Sequence, residues 1–159
     1  MARLDAYGKA RRKKQLKRQQ AATLQKYGGV KLSEALINLC EPYDHDLPLH
    51  GYKNLMAAAT MAWNIALQPK EKRHEMLLDA LNNLPSTQNK FEDELNEYMS
   101  NPNPENPPDS IVFFQVLSGL IQRKDELYPN DNRVVADYAI TESGSERHVT
   151  VSSALPANG

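Results

Sequence analysis

The stretch GKARRKKQLKRQQ, residues 8–20, carries the side chains best suited to binding a ligand. Seven Lys or Arg residues occupy its thirteen positions, with no acidic residue and one large aliphatic side chain, Leu16. Cations spaced this densely neutralise phosphate groups, and each neutralised phosphate releases a condensed counterion. The sequence therefore predicts nucleic-acid-binding residues at Arg3, Lys9, Arg11, Arg12, Lys13, Lys14, Lys17 and Arg18.

Charge is divided unevenly along the chain. Residues 1–31 hold ten Lys or Arg residues against one acid, a net charge of +9, whereas the remainder holds nine against nineteen, a net charge of −10. A basic arm on an acidic body favours association with a polyanion, so we expect a partner that is nucleic acid or a nucleoprotein. Tyr7 and Tyr27 are the arm's only aromatic residues, and no recognition motif is present, so the binding should be nonspecific.

Other interpretations of the basic segment stay open. A solvated helix whose charges only aid solubility has the same composition. The segment is also suited to the acidic surface of a protein partner, as in an adaptor or regulatory subunit. In a eukaryotic cell, RRKKQLKR would serve as a nuclear import signal. A membrane-surface helix is disfavoured because Leu4, Tyr7, Leu16 and Leu24 make too narrow an apolar face.

The remaining sequence shows no catalytic motif. The loop YDHDLPLH offers four oxygen or nitrogen donors, Asp44, His45, Asp46 and His50. Their spacing matches no closed zinc pattern, and neither His74 nor His148 has a partner that spacing identifies. We expect a non-enzymatic protein without metal or cofactor; an enzyme or metal protein using the 44–50 loop is the least favoured alternative.

Polar residues next to apolar ones mark a second candidate region. They are Asn64 beside Trp63, and the run Arg123, Lys124 and Asp125 near the end of a predicted helix. Buried polar groups must be paired, so these side chains would suit the surroundings of a site. The structural interpretation is favoured, because cations in the last turn of a helix complement its dipole and cap its carbonyl groups.

Length and composition favour one folded domain with a tail. No stretch approaches the roughly 20 apolar residues that span a bilayer, and the basic N-terminus has no apolar region behind it. The single cysteine, Cys40, lies among aliphatic residues and is expected to pack as a small hydrophobe. These features favour the reducing cytoplasm and no membrane partner.

The first half of the chain predicts helices. Ala2 to Tyr27 is rich in Ala, Leu, Gln, Lys and Arg, and Gly28-Gly29 should end this helix. Ser33 resembles the N-cap of a short helix that ends at Cys40, with Leu32 and Ile37 spaced as a hydrophobic staple. A third helix, YKNLMAAATMAWNIAL, has one broad apolar face: Leu55, Met56, Ala59, Ala62, Trp63 and Ala66.

Helical periodicity continues beyond Pro69, which is expected in a first turn. Residues 70–84 present Met76, Leu77, Ala80, Leu81 and Leu84, and this helix should pack antiparallel to the one before it. After the break at Pro85-Ser86, residues 90–99 present Phe91, Leu95, Tyr98 and Met99. A proline-rich linker, 101–109, should be exposed, and Ser110 should cap a central helix over 111–128.

The C-terminal segment alternates with a period of two and predicts a β-hairpin over 133–155. Its apolar faces are Val134, Ala136, Tyr138 and Ile140 on one strand, and Val149, Val151 and Leu155 on the other. They should cover the helix over 111–127, which leaves the outer edges open to a partner strand or a homodimer. The predicted fold is mainly α with a C-terminal β-hairpin, at the margin of α+β. The predicted division is a basic helix or arm at 1–31 and a helical domain at 32–159.

Overall fold

A computed structural model describes residues 8–19, 29–83 and 90–154. Residues 8–19 are helical and are called α1. The elements that follow are α2 (Leu32–Cys40), a 3-10 turn (Glu41–Tyr43), α3 (Leu49–Ala66), α4 (Lys70–Asn82), α5 (Phe91–Ser100), α6 (Asp109–Leu127), β1 (Val134–Ser143) and β2 (Glu146–Ala154). The two strands are antiparallel. The prediction of a mainly α fold with a terminal hairpin is confirmed.

Helix α3 forms the centre of the core. All six residues of its predicted apolar face are buried, and Tyr52, Ala58 and Ile65 are buried as well. Residues 109–127 form helix α6 as predicted, but fewer of its residues are buried than in α3, and Val112 is exposed. Helix α6 nevertheless contacts α2, α3, α4 and α5, as expected of a central helix, and α3 is the more deeply buried of the two. The alanines of α3 explain its deep burial, since small side chains let several neighbours approach one helix closely, and α6 is its main partner.

A smaller apolar cluster joins α4, α5 and the start of α6. Leu81, Phe91 and Ile111 form its buried centre, and the Phe91 and Phe114 rings stack with centroids 5.2 Å apart. Met99, predicted on the same face of α5, is instead 70% exposed. Residues 101–106 are exposed, as expected for the proline-rich stretch.

Three helix starts differ from the sequence prediction. Helix α2 begins at Leu32 with Lys31 as N-cap, because the Glu34 carboxylate accepts a hydrogen bond from the Lys31 backbone N–H. Ile37 is exposed, so the predicted staple is absent. Pro69 is the N-cap of α4 and precedes its first turn. Ser110 lies inside α6, where its hydroxyl donates to the Glu94 carboxylate instead of capping the helix.

The hairpin contains an irregularity that alternation alone cannot show. The pairing register shifts between Val135 and Asp137, so Val135 enters the core and Ala136 is exposed. From Tyr138 onward the predicted alternation holds. Tyr138, Ile140, Val149 and Val151 are half-buried against the core.

The hairpin's partner helices also differ from the prediction. Strand β1 contacts α3 and strand β2 contacts α2, and these are its main helical contacts, not those with α6. The ends of the predicted 2–27 helix, its Gly28 cap, Leu84, Pro85-Ser86 and Leu155 lie outside the described residues. Within the described ranges, no helix combines the length and apolar character needed to cross a membrane.

We predict opposite effects of Gly→Ala at two helical positions. At Gly51, an added Cβ would make an ordinary contact with Leu47 Cδ2 at 3.5 Å, whereas at Gly119 it would overlap the Tyr43 hydroxyl oxygen. Alanine gains up to about 1 kcal/mol over glycine within a helix, and forced displacement of a packed side chain costs about 1–3 kcal/mol. Chemical denaturation should show Gly51→Ala stabilised and Gly119→Ala destabilised.

Tyr43→Phe provides the control for the steric explanation. It removes the overlapping oxygen, and the next atom, Cζ, would lie 3.4 Å from the added Cβ. Gly119→Ala should therefore lose most of its penalty when it is combined with Tyr43→Phe, as a double-mutant cycle measures. An equal penalty with and without Tyr43→Phe would contradict this account.

Candidate nucleic-acid interface

Helix α1 presents seven of the eight predicted phosphate-binding residues together. Every side chain from residue 9 to residue 19 is exposed. The seven are Lys9, Arg11, Arg12, Lys13, Lys14, Lys17 and Arg18. Arg3 lies outside the described residues. The structure thus places a dense set of cations in solvent, with their charged groups open to a ligand.

Helical geometry arranges these cations in rows. Lys9, Lys13 and Lys17 recur every four residues, about 6 Å apart along the axis, and Lys14 and Arg18 form a second row. The rows lie on different sides of the helix, so α1 presents cations around more than half of its circumference. Like charges four residues apart each cost a helix a few tenths of a kcal/mol, which a bound polyanion would offset.

The same helix lacks the groups that read bases. Residues 8–19 contain no aromatic side chain for stacking and no Asn for a bidentate base contact. Gln15 and Gln19 are its neutral hydrogen-bonding side chains, and they share a shallow groove with Arg12 and Leu16. Contacts with a nucleic acid would therefore be made chiefly through charge.

The 44–50 loop does not assemble its donors. Asp44, His45, Asp46 and His50 are all exposed. Among the described residues, no three His, Cys, Asp or Glu side chains converge in a way that could hold a metal ion. Arg147 fixes the loop instead, since it donates to the Leu47 carbonyl at 2.7 Å.

The histidines of the other elements are also surface groups. His74 on α4 and His148 on β2 are both exposed, as their sequence patterns predict. His148 Nε2 lies 3.7 Å from a Glu146 carboxylate oxygen, and both side chains are largely solvated. Neither arrangement resembles a catalytic pair.

Lys124 is the most deeply buried cation of the described residues, with 2% of its surface exposed. Its Nζ donates to the carbonyl oxygens of Tyr128 and Asp131, each at 2.7 Å, and lies 5.0 Å from the Trp63 ring centroid. Burial lowers the pKa of Lys124, and the Asp131 carboxylate opposes that shift. The side chain therefore holds the turn between α6 and β1 and is directed away from solvent.

Arg123 caps the end of α2, and Asp125 pairs with an arginine that caps the end of α3. Arg123 donates to the carbonyl oxygens of Asn38 and Leu39, in the last turn of α2. Asp125 pairs with Arg73 at 2.6 Å, and that guanidinium also donates to carbonyls at the end of α3. The structural interpretation of this polar run is thus correct. The capped helices lie far from α6 in the sequence, so residue spacing could not identify these contacts.

Asn64 and a buried ion pair fix the start of the hairpin. The Asn64 amide both donates to and accepts from the Val135 backbone, at 3.0 Å each. Asp131 and Arg133 form an ion pair of 2.6 Å in which both side chains are buried. This pair could not be predicted from the sequence, because two charged residues in a loop segment look like solvated ones.

Comparison with family models, with curated proteins and with solved structures returned no match for this chain. A function must therefore be inferred from two observations. The cations of α1 are exposed, and the buried polar groups described above have hydrogen-bond or ion-pair partners.

We predict that Cys40, the chain's only thiol, is inert in the folded state. Burial, assisted by the Asp44 carboxylate, raises its pKa from 9.0 to about 12. At pH 8 such a thiol is ionised in only about one molecule in ten thousand, and the thiolate is the nucleophile. A thiol-reactive disulfide should label the native protein at the rate of unfolding, and labelling should become fast in urea.

The raised pKa also sets a pH dependence of stability. The folded state holds the Cys40 proton more tightly than the unfolded state, so this contribution to stability is complete below about pH 9 and is lost as pH rises towards 12. Comparing wild type with Cys40→Ala across that range isolates the effect. Rapid labelling of the native thiol at pH 8 would contradict both expectations.

Proposed function

We propose that this chain is a cytoplasmic, non-enzymatic binding protein whose helix α1 docks nonspecifically on nucleic acid or a nucleoprotein. The observation that carries the proposal is the exposure of seven cations within residues 9–18 of one helix that contains no acid. Groups of this kind bind a phosphate backbone without needing a shaped pocket.

Counterion release supplies the driving force for such binding. The logarithm of the binding constant falls with the logarithm of salt concentration, with a slope of about −0.9 per phosphate neutralised on duplex DNA. If α1 contacts six or seven phosphates, binding is micromolar at moderate salt and weakens steeply above it. The acidic remainder of the chain repels phosphate, so it restricts contact to the basic segment.

The test neutralises part of α1 without changing its length. Replacing Arg11, Arg12, Lys13 and Lys14 together by Gln should weaken binding to a generic duplex or single strand. It should also reduce the magnitude of the salt slope by up to about four units. Fluorescence anisotropy with a labelled oligonucleotide, titrated at several salt concentrations, measures both quantities.

A matched variant controls for net charge. Lys53, Lys70, Lys72 and Lys90 are exposed on other helices or at their ends, and replacing these four by Gln removes the same charge from the body. Binding and slope should then change little. Equal losses in the two variants would show that general charge, and not α1, is responsible; no binding by wild type at low salt would refute the proposal.

A second candidate function is that of an adaptor that binds a protein partner through the hairpin edge. It is favoured by the topology, because within the described residues β1 and β2 pair only with each other. Backbone pairing with another strand depends little on ionic strength, in contrast to phosphate binding. Association of the intact chain that persists at high salt would support the hairpin edge, and its absence would exclude self-pairing there.

A further inference from the structure

Helix α2 carries a shallow groove on the face that turns away from the core. The groove has a volume of about 340 Å³ and is lined by Glu34, Ile37, Asn38, Glu41 and Asp44. Ile37 is 42% exposed, although four of its neighbours in α2 are fully buried. The groove therefore offers an apolar contact on an otherwise polar surface.

Three carboxylates surround this apolar contact. Glu34, Glu41 and Asp44 are exposed, and within the described residues none of them forms an ion pair with Lys or Arg. Arg123 is the nearby cation, and it is bound to backbone carbonyl oxygens of α2. The groove thus combines one aliphatic side chain with negative charge that no described cation neutralises.

Helix α1 has the complementary arrangement. Leu16 is its large aliphatic residue and is 58% exposed. It lies four residues after Arg12 and three after Lys13, so two cations flank it on one side of the helix surface, and Gln19 lies on the other side. An apolar side chain flanked by cations complements an apolar groove lined by carboxylates in both charge and chemistry.

We propose that the α2 groove receives helix α1 of a second copy of this chain. The α1 side chains from residue 9 to residue 19 are exposed, so this helix does not occupy the groove of its own chain. Each copy has one basic helix and one groove, and two copies can therefore exchange helices in a closed dimer with two identical contacts.

This contact goes beyond the proposed nucleic-acid binding and does not rest on it. The groove is a different surface, but the cations that reach it are the ones that would bind phosphate. A polyanion and the groove therefore compete for α1, and an excess of oligonucleotide should convert dimer to monomer.

Sedimentation velocity on the intact chain at tens of micromolar tests the contact. Charge pairing between exposed groups is screened over about 10 Å at 0.1 M salt and about 3 Å at 1 M. We expect dimer at low salt and monomer at high salt. A chain that is monomeric at low salt would overturn the proposal, and a dimer unchanged by high salt would assign the association to the hairpin edge instead.

Neutralising the groove should have an effect that matched changes elsewhere lack. The groove variant is Glu34→Gln, Glu41→Gln and Asp44→Asn, and the control is Glu71→Gln, Glu75→Gln and Asp79→Asn, three exposed acids of α4. The groove variant should raise the dimer dissociation constant at least about tenfold, whereas the control leaves it near the wild-type value. Similar effects of the two variants would overturn the assignment to α2.

Charge reversal distinguishes a second copy from the same chain. One variant carries Glu at Arg12, Lys13 and Lys17, and the other carries Lys at Glu34, Glu41 and Asp44. Each variant alone places like charges opposite each other and should be monomeric. Their mixture should form a heterodimer, because the negative α1 of one variant meets the positive groove of the other, and the second contact keeps the wild-type charges on both sides. Absence of a heterodimer would overturn the exchange between copies.

Oligonucleotide binding separates this proposal from the previous one. The groove-neutralised variant keeps every cation of α1, so it should bind a labelled oligonucleotide at least as tightly as wild type. If that binding holds while the dimer is absent from wild type, the inference fails and the proposed function stands. The converse result, a salt-sensitive dimer with no oligonucleotide binding, supports the inference and refutes the proposed function.

Discussion

The hydrogen bond from Trp63 Nε1 to the Arg133 carbonyl oxygen, 2.7 Å long and buried, joins the two kinds of secondary structure in this protein. An indole in a core must find an acceptor, and here the acceptor is the backbone immediately before β1. Lys124 lies over the same ring and binds two carbonyls of the intervening turn. Trp63 therefore links α3 directly to the segment from which the hairpin starts.

This junction explains why several polar groups are buried. The chain turns sharply between α6 and β1, and the backbone carbonyls of Asp131 and Arg133 there form buried hydrogen bonds. Each needs a donor, because an unpaired buried carbonyl costs about 1–3 kcal/mol. Lys124 and Trp63 supply such donors, and Asn64 supplies both a donor and an acceptor to Val135. Lys124, Trp63 and Asn64 thus satisfy the backbone groups of this junction.

The sequence predicted those elements whose pattern follows directly from local periodicity. The buried face of α3 could be predicted because Leu, Met, Ala and Trp recur at helical spacing there. The contacts of α6 could not be predicted in the same way, because the hydrophobic residues around a helix do not show which neighbours cover them. The bulge at Val135 was also hidden, since Asn64, distant in sequence, holds that residue's backbone. The cations of the candidate interface could be identified from the sequence, but their arrangement in rows depends on the helical structure of α1.

The buried ion pair links the basic segment to this junction. Arg133, held by Asp131, donates through its guanidinium to the Val30 carbonyl oxygen at 3.0 Å, and its own carbonyl accepts the Trp63 hydrogen bond. Val30 lies at the boundary between the basic and acidic parts of the sequence. One arginine therefore fixes the point where the charged arm enters the body and the point where the hairpin begins.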